Sequence, residues 1–240
     1  MWDWASITLV IGSYFLGGIP LQYFLGRLKG VDLGNEYDMH ISLFRKVGPV
    51  VGIIGVVVDI AKGIIPVVVA NLMAWNTTVA ALAGLSVLIG QMWPVYNKFN
   101  GEKGNTTGIG VAVALAPRAC AVMIIFIAAG AFIRTIPRLL SKNQSTSEKL
   151  RFGGPASNSL PIGMVIGFAM FPIASTSWFG PWFAHPLSTT LVGVAMFVLV
   201  MLRRATAGVR KDFATGGSKL KIVLNRLLID RGFWDIKQEQ

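Results

Sequence analysis

Apolar runs long enough to cross a bilayer recur along this chain, and basic residues fill every second gap between them. A hydrocarbon core about 30 Å thick takes roughly 20 mostly apolar residues in a helix. Such runs lie at 5–26, 49–73, 79–96, 107–115, 119–133, 160–178 and 187–202, the fourth of them short. Cytoplasmic loops are enriched in Lys and Arg. The first gap holds Arg27, Lys29, Arg45 and Lys46, the second none, the third Lys98 and Lys103. The fifth gap opens with Arg134, Arg138 and Lys142, the sixth has no basic residue, and nine follow Leu202. Only an odd number of crossings keeps all the basic gaps on one side with Arg118 opposite. The expected fold is therefore all-α: a polytopic membrane bundle of seven helices, N-terminus out and C-terminus cytoplasmic. One long helix kinked at Pro117, giving six spans, is the alternative.

Composition agrees. Hydrophobic residues make up 53% and charged residues 14%, against about 25% charged in a soluble domain, which excludes an ordinary soluble enzyme. The net charge of +11 is spread over loops flanking apolar runs, so membrane lipid rather than nucleic acid is the expected partner. Residues 1–6 contain no Lys or Arg, so the first run is expected to stay as a membrane helix. Residues 1–203 are assigned to a membrane domain with a polar cytoplasmic loop at 135–159, and 204–240 to a basic tail. Leu220, Val223, Leu224, Leu227 and Leu228 recur at helical spacing among Lys219, Lys221, Arg226 and Arg231. That pattern suits a helix lying on an anionic membrane surface.

Two places could carry chemistry. Asp59 and Lys62 sit inside the second apolar run, three residues apart on one helix face, where they can pair as a structural ion pair. The segment Gly101-Glu102-Lys103-Gly104-Asn105-Thr106-Thr107 opens the fourth run. A glycine turn at a helix start presents backbone N–H groups and the positive dipole end, and an adjacent Lys completes a phosphate cradle. Glu102 counts against this unless it turns away or pairs with Lys103. A lysine that only snorkels to the headgroups is the competing reading. One cysteine, Cys120, and two loop histidines, His40 and His185, leave no metal site or Ser-His-Asp arrangement in prospect.

Taken together these motifs resemble the small bacterial membrane acyltransferases of the PlsY type. The family's Gly-Ser-Ile-Pro is matched by Gly17-Gly18-Ile19-Pro20, and its Lys-Gly-x-Asp by Lys29-Gly30-Val31-Asp32. Its Leu-Asp-Ile-x-Lys-Gly is matched by Val58-Asp59-Ile60-Ala61-Lys62-Gly63, with Pro66 following. Its Gly-His-x-Phe-Pro and Phe-x-Gly-Gly-Lys-Gly are matched by Gly90-Gln91-Met92-Trp93-Pro94 and Phe99-Asn100-Gly101-Glu102-Lys103-Gly104. The resemblance runs to about Thr135. Among the family positions that differ, Gly18 stands for serine, Gln91 for histidine and Glu102 for glycine. A glycine-rich loop motif survives only as Gly34-Asn35 and Phe44-Arg45, and Arg151-Phe152 with Ser157 and Ser159 is the nearest counterpart of an Arg-Tyr-x-Ser segment. Arg203, Arg204 and Arg210 stand in for a C-terminal basic motif.

The resemblance implies a glycerol-3-phosphate 1-O-acyltransferase that uses acyl phosphate and makes lysophosphatidate at the cytoplasmic face of the bacterial cytoplasmic membrane. It implies no cofactor and no metal. Lys103 and Arg45 are the expected catalytic phosphate ligands. Asn35, Gly101, Gly104, Asn105, Thr106, Thr107, Arg203, Arg204 and Arg210 are the expected substrate-binding set. A relative that has lost or changed the reaction, binding lipid headgroups or a protein, is the competing class, and a small transporter ranks below both.

Overall fold

A computed structural model describes residues 3–34, 39–140, 159–214, 216 and 218–230. Within them the chain is helical and no strand occurs among the described residues: α1 Trp4–Gly18, α2 Leu21–Leu28, α3 Met39–Lys46, α4 Pro49–Leu72, α5 Thr77–Met92, α6 Asn105–Leu115, α7 Pro117–Leu140, α8 Ser159–Ala174, α9 Leu187–Thr206, α10 Val209–Ala214 and α11 Lys219–Ile229. A helix stands at each of the seven apolar runs. By length and composition four stretches can cross a membrane, at Trp4–Leu28, Pro49–Leu72, Thr77–Asn97 and Leu187–Ala214, while Asn105–Leu115, Pro117–Ile133 and Ser159–Ala174 are shorter apolar helices.

Local chemistry sets the breaks. Asp3 starts α1 with a capping box, its carboxylate accepting from Ser6 N while Ser6 Oγ accepts from Asp3 N. The first run, expected as one helix, divides at Ile19-Pro20 because Pro20 has no N–H to continue the ladder. The end of that run becomes α2, and the expected first loop holds α3, so His40 is helical. Between α6 and α7, Ala116 leaves the helical region (φ −150°, ψ 78°). Cys120 Sγ lies 4.0 Å from Ile109 O, a contact one continuing helix would not make, so the chain folds back there. The polar loop expected at 135–159 begins later, since α7 runs through Leu140, and Ser159 already opens α8. Residues 141–158, with Arg151, Phe152 and Ser157, lie outside the described residues.

Helices approach closely where glycine permits it. A Cβ on Gly17 would fall 1.9 Å from Val87 O and one on Gly90 1.9 Å from Tyr14 O, so α1 and α5 touch backbone to backbone. Gly63 and Gly110 do the same for α4 and α6. Small-residue contacts of this kind hold helices together in lipid, where apolar burial drives little. Val87, Leu88, Met92, Val111, Phe168 and Met196 fill the centre, whereas Ile53, Val57, Ile65 and Val68 of α4 face outward. Asp59, Lys62, Gln91, Arg203 and Arg204 are buried. An apolar exterior with charged groups kept inside suits a lipid surround.

The tail does not extend freely. α11 packs on α9 and α8 through Ile222 and Arg226, and Arg226 Nε donates to Asp212 Oδ2 at 2.6 Å, with a further bond to Ala207 O. Leu220, Leu224 and Leu228 form the opposite, exposed stripe. At the end of the molecule marked by Arg118, Nη1 donates to Trp182 O at 2.7 Å. His185 in the same loop has its imidazole pushed below the ordinary range by burial and by the charge of Arg118, so it is neutral at pH 7.

A candidate phosphate-binding site

The site is built on the loop between α5 and α6. After Met92 the chain reverses through Pro94 and a short 3₁₀ turn at Val95–Asn97, with Lys98 and Phe99 both left-handed (φ +50° and +59°). It then lies back along the last turn of α5: Gly101 N donates to Met92 O at 3.1 Å and Glu102 N to Gln91 O at 3.0 Å. Gly101 has to be glycine there, because a Cβ would sit 2.1 Å from Gln91 O. Gly104, at φ +75°, turns the chain into α6 and gives it no side-chain cap. The N–H groups at the start of α6 and the positive end of its dipole therefore face the turn, the arrangement that attracts anions.

Cations gather around this helix start. Lys103 Nζ lies 3.0 Å from Asp230 Oδ1 at the end of α11. Arg204, 1% exposed, reaches Pro161 O at 3.2 Å and Asn105 Oδ1 at 3.5 Å, and its Nε lies 4.0 Å from Asp230 Oδ1. Arg203 holds the loop itself, donating to Gly101 O, to Asn100 Oδ1 at 3.2 Å and to Glu102 O at 3.4 Å. Asn105, Thr106 and Thr107 are buried, and Thr107 Oγ1 has no hydrogen-bond partner. Of the expected set, Gly101, Gly104, Asn105, Thr106, Thr107, Arg203 and Arg204 are thus brought together with Lys103. Arg45 stands exposed in the last turn of α3, and Arg210 is exposed on α10. Asn35 lies outside the described residues.

Beside the turn runs a buried polar network. Lys62 Nζ donates to Ile19 O at 2.6 Å, the carbonyl at the α1–α2 break, and to Gln91 Oε1 at 3.3 Å, and lies 3.6 Å from Asp59 Oδ1. Gln91 Nε2 donates to Asp59 Oδ1 and to Glu102 Oε1, each at 3.1 Å. One amide thereby satisfies two carboxylates and a lysine in low dielectric, where an unmade bond is costly. Glu102, 6% exposed, is drawn into this network. Gly17, Gly18, Pro20, Gln91, Asn97 and Glu102 line a cleft with Met39 of α3. Gly18, Gln91 and Glu102, where the resemblance led to serine, histidine and glycine, therefore line one cleft. They also fit one another: Gln91 bonds Glu102, and a Cβ on Gly18 would fall 2.3 Å from Tyr96 Oη, leaving no room for serine unless Tyr96 moves.

The sequence profile of the glycerol-3-phosphate acyltransferases matches residues 7–210, most of the chain and well past the Thr135 limit of the motif reading. The chain belongs to the glycerol-3-phosphate acyltransferase family. Glycerol-3-phosphate acyltransferase 4 of Dehalococcoides mccartyi strain CBDB1 is 25% identical over 229 residues, covering 94% of this chain and 88% of that protein. The glycerol-3-phosphate acyltransferase of Trichlorobacter lovleyi is 37% identical over 136 residues, 54% of this chain and 70% of that one. The crystal structure of PlsY, an integral membrane glycerol 3-phosphate acyltransferase, in its lysophosphatidic acid form shares the fold, with a TM-score of 0.65 at 20% identity over 92% of this chain and 98% of that one. Its glycerol 3-phosphate form aligns with the same TM-score at 21% identity over 91% of this chain.

Two features of the site escaped the sequence reading. Gln91 was visible only as a departure from the family histidine, and its bond to Glu102 needs the reversal of the α5–α6 loop. Asp230 is distant in sequence from Lys103, and its one trace is an acid ending an otherwise basic amphipathic helix.

Proposed function

We propose that this membrane-bound acyltransferase moves a fatty acyl group from acyl phosphate to the first hydroxyl of glycerol 3-phosphate, giving lysophosphatidate and inorganic phosphate. The observation that carries the reading is the uncapped start of α6 with Lys103 and Arg204 beside it, a place already holding an anionic carboxylate. In the reaction the glycerol hydroxyl oxygen attacks the acyl carbon, the bond from that carbon to the phosphate oxygen breaks, and the hydroxyl proton leaves to the departing phosphate or water. An acyl phosphate is already activated, so the chain's contribution is chiefly to hold phosphate charge and aim the hydroxyl. Lys103, Arg204 and the Asn105–Thr107 backbone hold it, Arg203 fixes the loop, and Arg45, exposed on α3, is assigned the role of a second phosphate ligand on the family resemblance. Purified protein given glycerol 3-phosphate should form lysophosphatidate from palmitoyl phosphate. Product from palmitoyl-CoA or palmitoyl-acyl carrier protein instead would overturn the choice of donor.

The exchanged cleft residues favour one second reading, a changed acceptor. Gly18, Gln91 and Glu102 replace residues of the family pattern together, as a rebuilt surface does, and Glu102 brings a carboxylate that accepts hydrogen bonds. Running other polyol phosphates beside glycerol 3-phosphate separates the two, because a rebuilt cleft prefers one of them and an unaltered specificity does not.

Loop charge supports a site at the cytoplasmic face, with seven crossings, the N-terminus outside and the tail inside, its exposed leucine stripe on α11 lying along the lipid. Thiol labelling tests this cleanly, since the native Cys120 is buried. Asn76→Cys should react with an impermeant reagent in intact spheroplasts, and Ser145→Cys and Ser218→Cys only after the membrane is opened. Labelling of Ser145→Cys from outside would contradict the seven-span topology.

A further inference from the structure

The carboxylate of Asp230 stands between the two cations on which the proposed phosphate site depends. Its Oδ1 is 3.0 Å from Lys103 Nζ and 4.0 Å from Arg204 Nε, and its backbone carbonyl accepts from Lys103 Nζ at 3.4 Å. The approach is built, because α11 is clamped to the bundle by buried Ile222 and by the Arg226–Asp212 pair. By local rules the residue is badly chosen. Asp230 caps the C-terminus of α11, where helix carbonyls carry partial negative charge and an acid is disfavoured. Its φ of +57° lies in the left-handed region, where glycine or asparagine is the usual helix terminator. Asparagine would satisfy the backbone without the repulsion. An acid at this point is explained by the two cations it meets.

We propose that Asp230 is a built-in competitor for the phosphate group, holding the Lys103–Arg204 pair until a phosphate monoester displaces it. This rests on the reading of the turn as a phosphate site. A monoester carries about −1.5 to −2 at neutral pH against −1 for the carboxylate, so it wins the cations on charge while the competitor lowers its apparent affinity. The cationic site is thereby never left unpaired when substrate is absent, and weak anions are excluded from it.

The test is calorimetry of the full chain with glycerol 3-phosphate and, separately, inorganic phosphate. Asp230→Asn removes the charge, keeps the size and suits the left-handed cap, and it should bind both ligands about three- to tenfold more tightly. In the Lys103→Ala background the same change should bring much less, because the cation being contested has gone. Unchanged or weaker binding by Asp230→Asn, in a protein whose Lys103→Ala variant binds poorly, overturns the competitor and leaves the phosphate site standing. If Lys103→Ala itself binds like wild type, the phosphate reading fails first and the competitor with it. A lower melting temperature for Asp230→Asn with no gain in affinity would assign the residue to holding α11 alone.

Discussion

Asp59→Ala is expected to destabilise the protein by about 3 to 5 kcal/mol, read as a fall in melting temperature in detergent, because it strands a buried ammonium. Asp59 and Lys62 are 1% and 2% exposed, so solvent cannot take over the missing charge. Ile19 O and Gln91 Oε1 remain as acceptors for Lys62, but neither neutralises it. Removing both charges, with Lys62→Ala added to Asp59→Ala, should cost less than the single change. Equal or greater loss in the double variant would show that the two do not act as partners. Glu102 belongs to the same network, so Glu102→Gly should also lower stability by leaving Gln91 without one acceptor.

Lys103→Ala should weaken binding of glycerol 3-phosphate or acyl phosphate by about 10- to 150-fold, since a charge-assisted bond is worth roughly 1.5 to 3 kcal/mol. Melting temperature should move little by comparison. The Lys103–Asp230 pair is largely buried, with side chains 12% and 14% exposed, but Arg204 remains within 4.0 Å of the released carboxylate and balances its charge. Unaltered affinity, measured by calorimetry, would mean that Lys103 only anchors the tail.

What could be read from the sequence follows the range of each interaction. Helix positions were legible because hydropathy is local, and the Asp59–Lys62 spacing because i,i+3 fixes a face. The Gly101–Thr107 turn was legible for the same reason. The network partners of Gln91 were not, since 11 and 32 residues separate it from Glu102 and Asp59. Arg45 marks the limit of a motif: a motif position transfers a residue type, while its exposure on α3 depends on how α2 and α3 fold after Pro20. The tail divides between both readings, because a helix pattern names an apolar stripe without naming what covers it. Ile222 and Arg226 face protein, and Leu220, Leu224 and Leu228 do not.

Wild-type protein in liposomes should be given palmitoyl phosphate labelled in phosphorus and glycerol 3-phosphate labelled in carbon. The account predicts one labelled inorganic phosphate released for each 1-acyl lysophosphatidate formed, with release dependent on the acceptor. Phosphate release without labelled lysophosphatidate, or no release at all, would contradict it.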